Sequence, residues 1–209
     1  VPIFHKAIFS KTAKNIIVVN IGGISNFTFL MGKKELIASD IGPGNTLIDK
    51  FCIKRFNKYC DKDGLMASKG KVDYDLVNNW MKKKYFKKSL PRSFDTKSFN
   101  LKNFSQNTKI SNYNFLRSLT FLSAKLISEI QTKLKKKIDF WVFSGGGTYN
   151  ITLMREIKNL IGGGNIFLSD ELGYNSAFIE SSAFGYISVR TLKKLPSAFP
   201  STTGCKKRN

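Results

Sequence analysis

Two runs of the chain are apolar at every position, Ile16–Val19 and Phe140–Phe143, and each has the length of a buried strand. The first passes through Asn20-Ile21-Gly22-Gly23-Ile24-Ser25-Asn26 into a stretch in which Phe27, Phe29 and Met31 alternate with Thr28 and Leu30. That order predicts strand, Gly-rich hairpin, strand. Glu35–Asp40 supplies a third short strand, so the opening reads as an antiparallel meander. Ile41-Gly42-Pro43-Gly44-Asn45 interrupts it, and Leu47, Phe51 and Arg55 then recur at helical spacing over Thr46–Phe56.

Asp61–Lys88 is polar and helical in character, with a segment opening at Val72-Asp73 and running through Leu76, Trp80 and Met81. Leu90–Gln106 mixes Pro, Ser, Asn and aromatics and reads as an irregular crossing loop. Phe115, Leu119, Leu122, Leu126, Ile130 and Leu134 then mark one long helix over Asn112–Leu134, whose cationic end suits the helix dipole. Ile138–Phe143 is a strand that delivers Ser144-Gly145-Gly146-Gly147 to a helix over Asn150–Ile161, and Asn165–Leu168 is a further strand. Ser176–Leu192 is a last helix, with Ser181, Ser182, Ala183 and Gly185 predicting close packing on a neighbour. Antiparallel strands followed by strand–helix–strand–helix give an α/β domain.

Composition narrows this. With 209 residues, 42% hydrophobic and 18 Phe, the chain has ample core for one to two domains without disulfides or a structural metal. No stretch approaches the ~18 apolar residues of a membrane span, and no secretory signal is visible, so the reading is a soluble, cytoplasmic protein. The first residue is Val1, which reads as a chain cut from something longer. The net charge of +21 poses two alternatives, an anionic partner or a lysine-rich solvated surface. There are 29 Lys against 6 Arg, in scattered runs and with no aromatic stacking motif, so nucleic acid is not the expected partner. Cys52, Cys60 and Cys205 form no CxxC pair and His5 is the sole histidine, which excludes a zinc site and predicts reduced thiols.

Three Gly-containing turns leave strands, at Asn20–Asn26, Asp40–Asn45 and Ser144–Asn150. Singly each is a tight turn. As a set they suit phosphate oxygens, because backbone without Cβ allows close approach and a helix N-terminus behind Gly145–Gly147 adds a favourable dipole. Neither the GxGxxG fingerprint nor GxxxxGK[ST] is present, which weakens a Rossmann reading and removes ordinary P-loop enzymes.

The runs Asn20-Ile-Gly-Gly-Ile-Ser-Asn26 and Asp40-Ile-Gly-Pro-Gly-Asn45 through Asp49, then Asp61-Lys62-Asp63, Gly70-Lys71 and Pro91-Arg92-Ser93, resemble the anhydro-N-acetylmuramic acid kinase family. The likeness resumes at Ser144-Gly-Gly-Gly-Thr-Tyr-Asn150, at Glu180 with Ala183-Phe184-Gly185-Tyr186, at Leu195-Pro196 and at Pro200-Ser-Thr-Thr-Gly204, so it spans the chain. It implies an actin/hexokinase-type ATPase fold of two ribonuclease-H-like lobes, with ATP and Mg²⁺ between them. It also implies hydrolytic opening of the 1,6-anhydro bond and phosphorylation of O6, giving N-acetylmuramic acid 6-phosphate in cell-wall recycling. The nucleotide-binding set carried over is Asn20, Gly22, Gly23, Asp40, Gly42, Gly44, Asn45, Gly145, Gly146, Gly147 and Asn150, with Glu180 reaching the sugar. The family's general base lies shortly upstream of the Val-Pro-x-Phe-His stretch. The expectation is therefore a C-terminal lobe over residues 1–209, with the N-terminal lobe and the base outside the chain and the fragment inactive alone. A homodimer stays open.

Residue by residue, bland readings stand beside these. Asp40 holds Mg²⁺, directly or through water, or is a turn Asp before Gly-Pro-Gly. Asn45 contacts phosphate or caps the following helix. Glu180 touches sugar or is an exposed helix Glu. His5 reads as structural, Asp61 and Asp63 as helix caps, and Lys69 and Lys71 as a solvated face. Outside this family stand another sugar kinase of the same superfamily and a non-catalytic basic protein that binds nucleic acid or anionic surfaces.

Overall fold

The computed structural model describes residues 1–10, 14–32, 35–104, 110–176 and 178–206. Pro2–Phe9 forms α1, and the predicted meander follows as β1 (Asn15–Ile21), β2 (Ile24–Met31) and β3 (Glu35–Pro43). Helices α2 (Thr46–Phe56), α3 (Tyr74–Met81), α4 (Asn112–Ser128) and α5 (Ile130–Leu134) lead to β4 (Phe140–Ser144). Then come α6 (Ile151–Ile161), β5 (Asn165–Leu168), α7 (Ile179–Leu192) and the short α8 (Pro200–Thr203). The sheet order is β3-β2-β1-β4-β5. β1, β2 and β3 are antiparallel, whereas β4 runs parallel to β1 and β5 parallel to β4. This is the expected α/β arrangement, an antiparallel meander extended on one side by parallel strands.

Alternation divides the sheet residues between two unequal faces. Ile17, Val19, Ile21, Phe27, Phe29, Trp141 and Phe143 join the main core with buried residues of α2, α3, α4 and α6. Ile16, Val18, Leu30, Leu36 and Val142 face the other way, in a small cluster with Ile3 and Phe9 of α1. On that second side α7 buries only Ile179 and Ala183.

Three expectations change. The periodicity through Leu134 predicted one helix, but α4 stops at Ser128 and α5 restarts at Ile130. The Ser128 hydroxyl donates to the Lys125 carbonyl, and such local bonding competes with the helical ladder. The Leu90–Gln106 loop is irregular but pinned, because Phe99 and Phe104 are fully buried among Trp80, Tyr85 and Phe86; its last residues lie outside the described ones. In α7, Ser181, Ser182 and Gly185 are exposed and Ala183 alone of the small residues packs within this chain. Among the described residues no helix is long and apolar enough to cross a membrane.

Candidate functional site

The strand register lines up one polar row across four strands. Asp40 pairs laterally with Asn26, Asn26 with Asn20, and Asn20 with Ser144. Period-2 alternation puts this row on the α1/α7 face, continuing the column that begins with apolar Ile16 and Val18. Glu180, in the first turn of α7, stands over it: Asn20 Nδ2 donates to Glu180 Oε1 at 3.4 Å. Beneath the row, His5 is buried with Nδ1 3.0 Å from Thr28 Oγ1, and burial pushes its pKa down to about 3. It is a neutral, structural imidazole.

Asp40 sits at one end of the row, in a cavity of about 390 Å³ shared with Asn26, Arg92, Ser93 and Thr202. Its Oδ2 accepts the Phe94 N–H at 2.7 Å. Burial raises its pKa, against the opposing pull of that N–H, the Ser93 hydroxyl and the Arg92 charge. Arg92 is itself buried and donates to the carbonyls of Asp40, Ile41, Phe86 and Lys88, so it holds the end of β3 rather than the Asp40 carboxylate.

Two of the Gly turns are stapled together. The Gly44 and Thr46 amides donate to Gly23 O, the Asn45 amide donates to Gly22 O, and Thr46 Oγ1 adds a 2.7 Å bond to Gly23 O. A Cβ on Gly44 would collide with Gly22 O and Ser25 Oγ. The third turn locks onto the same strand end. Gly145 has φ +88° and lies against Asn20 Oδ1, while a Cβ on Gly147 would overlap Ile21. Gly146 differs, because a Cβ there meets nothing within 4 Å.

That open glycine borders a second cavity of about 380 Å³, whose wall includes Asn45, Asp49, Asp61, Asp63, Tyr149 and Asn150. Asp61 is committed to structure, since its two oxygens accept the Met66 and Ala67 amides at 2.8 and 3.0 Å. Asp49 is raised to about 6, first by burial and then by the Asp61 charge. Cys52, buried nearby, is pushed up to about 12 and is inert as a thiol nucleophile at neutral pH.

The whole chain, residues 1–209, matches the family described as Anhydro-N-acetylmuramic acid kinase. The chain belongs to that family. Proteins of that name from Rhodopseudomonas palustris and Shewanella loihica are each 34% identical to it, over 98% of this chain and 55% and 56% of theirs. One from Pasteurella multocida is 32% identical over 99% of this chain and 56% of its own length. The chain thus spans about half the length of these relatives.

Seen against the anhydro-N-acetylmuramic acid kinase resemblance, the expected site residues separate into groups. Asn20, Asp40 and Glu180 meet along the polar row. Gly22, Gly23, Gly44 and Asn45 form the stapled turns, and Gly145, Gly146 and Gly147 lie beside them. Asn45 heads α2, yet its side chain makes no capping bond, so the cap reading fails. Asn150 does cap a helix, accepting the Leu153 N–H at 2.9 Å. Gly42 faces Leu126 and Phe86 in the core and lines neither of the two cavities. Asp61 clamps amides five and six residues on, and Asp63 adopts φ +56°, so neither makes the predicted cap bond. Sequence reasoning gave Tyr149 and Asp49 no role; the i, i+4 spacing of Asn45 and Asp49 on one helix face was the available signal.

Proposed function

We propose that this chain is the C-terminal lobe of an ATP-dependent kinase that opens 1,6-anhydro-N-acetylmuramic acid with water and phosphorylates O6, giving N-acetylmuramic acid 6-phosphate in cell-wall recycling. The observation that carries the reading is the convergence of three sequence-distant Gly turns on the ends of β1 and β4, beside a polar row closed by Glu180. In this reading the turns at Gly22–Gly23 and Gly145–Gly146 present backbone to the phosphates, where close approach and unblocked amides stabilise anionic oxygens. Glu180 and Asn20 accept and donate hydrogen bonds to sugar hydroxyls. The Asn20–Glu180 bond orients the carboxylate before substrate arrives.

Mg²⁺ supplies charge neutralisation on the phosphates when bound. The described acids form no cluster of three or more metal-holding side chains. Asp40, with one oxygen taken by the Phe94 N–H, fits a single contact, direct or through water. The general base belongs, in this reading, to a second lobe that precedes Val1 in the family.

Replacing the matched part of the Rhodopseudomonas palustris relative with this chain gives the direct test. The hybrid should release ADP in a manner dependent on the anhydro-sugar, and Glu180→Gln should lower turnover about ten- to a hundred-fold. A folded hybrid with no sugar-dependent ADP release overturns the reading.

A further inference from the structure

We propose that Lys84, Lys87 and Lys88, together with Lys135, Lys136 and Lys137, form one docking surface for an anionic lipid bilayer, assembled where Lys133 and Arg92 share the carbonyl of Phe86. The inference goes beyond the kinase reading and stands or falls separately from it.

The fold brings the two lysine runs together. Lys133 and Phe86 are 47 residues apart, yet Lys133 Nζ donates to Phe86 O at 3.1 Å. Arg92 Nη1 donates to the same oxygen at 2.8 Å and to Lys88 O at 3.1 Å. Lys84, Lys87 and Lys88 lie within two residues of this junction, and Lys135, Lys136 and Lys137 within four residues of Lys133. A chain spans at most about 3.6 Å per residue, which keeps the second run within ~15 Å of Lys133. All six side chains are exposed. Lys82 bonds Asn79 and Lys83 lies over the Phe104 ring, so neither is counted among the six.

The charge here is unbalanced. Segments 82–92 and 129–138 carry nine of the chain's 29 lysines, and Arg92, against one acid, Glu129. That acid is already taken, 3.6 Å from Lys125 Nζ. At the junction two cations stand side by side: burial lowers the Lys133 pKa, and the Arg92 charge lowers it further. Other lysines stand among acids, as Lys62 does between Asp61 and Asp63, and Lys71 before Asp73 and Asp75. The helix dipole accounts for Lys133 in the last turn of α5 but fades beyond it, and Lys135, Lys136 and Lys137 follow the helix end. Crowding like charges in this way raises the local potential, and a polyanion lying across them lowers it.

The side chains select among polyanions. Arg92 is the only arginine of these segments, and it is buried with Nε, Nη1 and Nη2 all donating to carbonyls. No guanidinium fork is left for bidentate phosphate recognition. The rings of Tyr85 and Phe86 pack on each other and on Phe99, which removes the platform that stacked bases need. What remains is compact ammonium charge on long flexible stems. That suits mobile headgroup anions, which clusters of roughly four to eight basic residues engage.

The test is co-sedimentation of the 209-residue chain with vesicles of phosphatidylcholine, alone or with about one-third phosphatidylglycerol. The chain should bind the anionic vesicles and not the neutral ones. Raising salt from about 0.1 to about 1 M should release it, as the screening length falls from ~10 to ~3 Å. Each lysine near such a surface is worth roughly fivefold in affinity. Combining Lys87→Gln, Lys88→Gln, Lys135→Gln and Lys136→Gln should therefore weaken binding by about two orders of magnitude or more. The same loss of charge at Lys54, Lys58, Lys69 and Lys71, exposed on α2 and around Gly70, should cost less than about fivefold. Should the combined variant lose its fold, Lys87→Gln and Lys136→Gln singly carry the test at about fivefold each. Equal losses from the two sets of four, equal binding to neutral vesicles, or no binding to anionic vesicles at low salt overturns the surface. Duplex DNA of mixed sequence bound more tightly than the anionic vesicles overturns it too.

Discussion

At the scale of single residues, two buried titratable groups act with opposite sign. Folding lowers the His5 pKa from 6.5 to about 3, so below pH 6.5 the unfolded state takes up a proton that the native state refuses. Stability should then fall by about 1.4 kcal/mol per pH unit as the solution is acidified. Folding raises the Asp49 pKa from 3.8 to about 6, so its cost is fully present above pH 6 and is lost as pH falls toward 4. Between pH 6 and 4 the two effects oppose each other. Asp49→Asn should stabilise the protein at pH 7 by about 1 kcal/mol, after allowance for solvent screening, and that advantage should vanish near pH 4. The variant should also show the steeper acid slope of His5 alone. Urea unfolding at a series of pH values checks both signs, and a pH-independent gain would remove Asp49 as the source.

Glu180 makes the complementary case. The Asn20 contact is long and the side chain is exposed, so Glu180→Gln should leave the unfolding free energy of this chain within about 0.5 kcal/mol of wild type. Its effect should appear in turnover of the hybrid kinase alone, with the ATP concentration dependence preserved. A loss of stability instead would make it a structural residue.

Among the elements, the glycine turns are unequal, and the inequality is measurable. Gly44→Ala drives a methyl into Gly22 O and Ser25 Oγ and should destabilise by about 3 kcal/mol, visible in thermal unfolding. Gly146→Ala meets nothing, and should stay within about 0.5 kcal/mol of wild type while weakening nucleotide binding. Large stability losses in both would mean that Gly146 is a packing residue too. The elements themselves were largely legible from the chain. Ile16–Val19 and Phe140–Phe143 are apolar at every position, and both proved to be inner strands flanked on each side. The turns were readable because Gly-Pro-Gly and Gly-Gly-Gly stop any regular pattern. What could not be read was which turns touch. The bonds from Gly44, Asn45 and Thr46 to Gly22 and Gly23 join residues more than twenty apart, and no local spacing reports them. The same holds for the acidic cavity, where Asn45, Asp61 and Tyr149 come from three separate segments. The break at Glu129 leaves no mark in the pattern for another reason: Leu126 before it and Ile130 and Leu134 after it keep one helical spacing.

Over the whole molecule, protection should follow the imbalance between the two faces. Helix α4 buries eleven of its residues in the main core, whereas α7 buries two of its fourteen. Hydrogen exchange should be slowest along β1, β4 and α4, near the global limit, and faster by orders of magnitude along α7. Equal protection of α4 and α7 would show that the second face is held far more firmly than its burial implies. Phe184, Val189 and Leu192 project from this helix into solvent, as does Phe178 just before it, so a sparsely buried element leaves large apolar side chains uncovered.

The row Asp40–Asn26–Asn20–Ser144 has a consequence for how the chain avoids misfolding. Shifting β2 by one residue against β1 would turn Asn26 inward, into the place of Phe27 among the aromatic side chains of the main core. An amide stripped of water without partners costs roughly 1–3 kcal/mol, and the same slip would force Phe27 and Phe29 onto the α1 face, where the smaller cluster now holds Thr28 and Leu30. The polar row thus serves as a spelling check on the sheet, and a chain that swapped these residues for apolar ones would lose its proofreader.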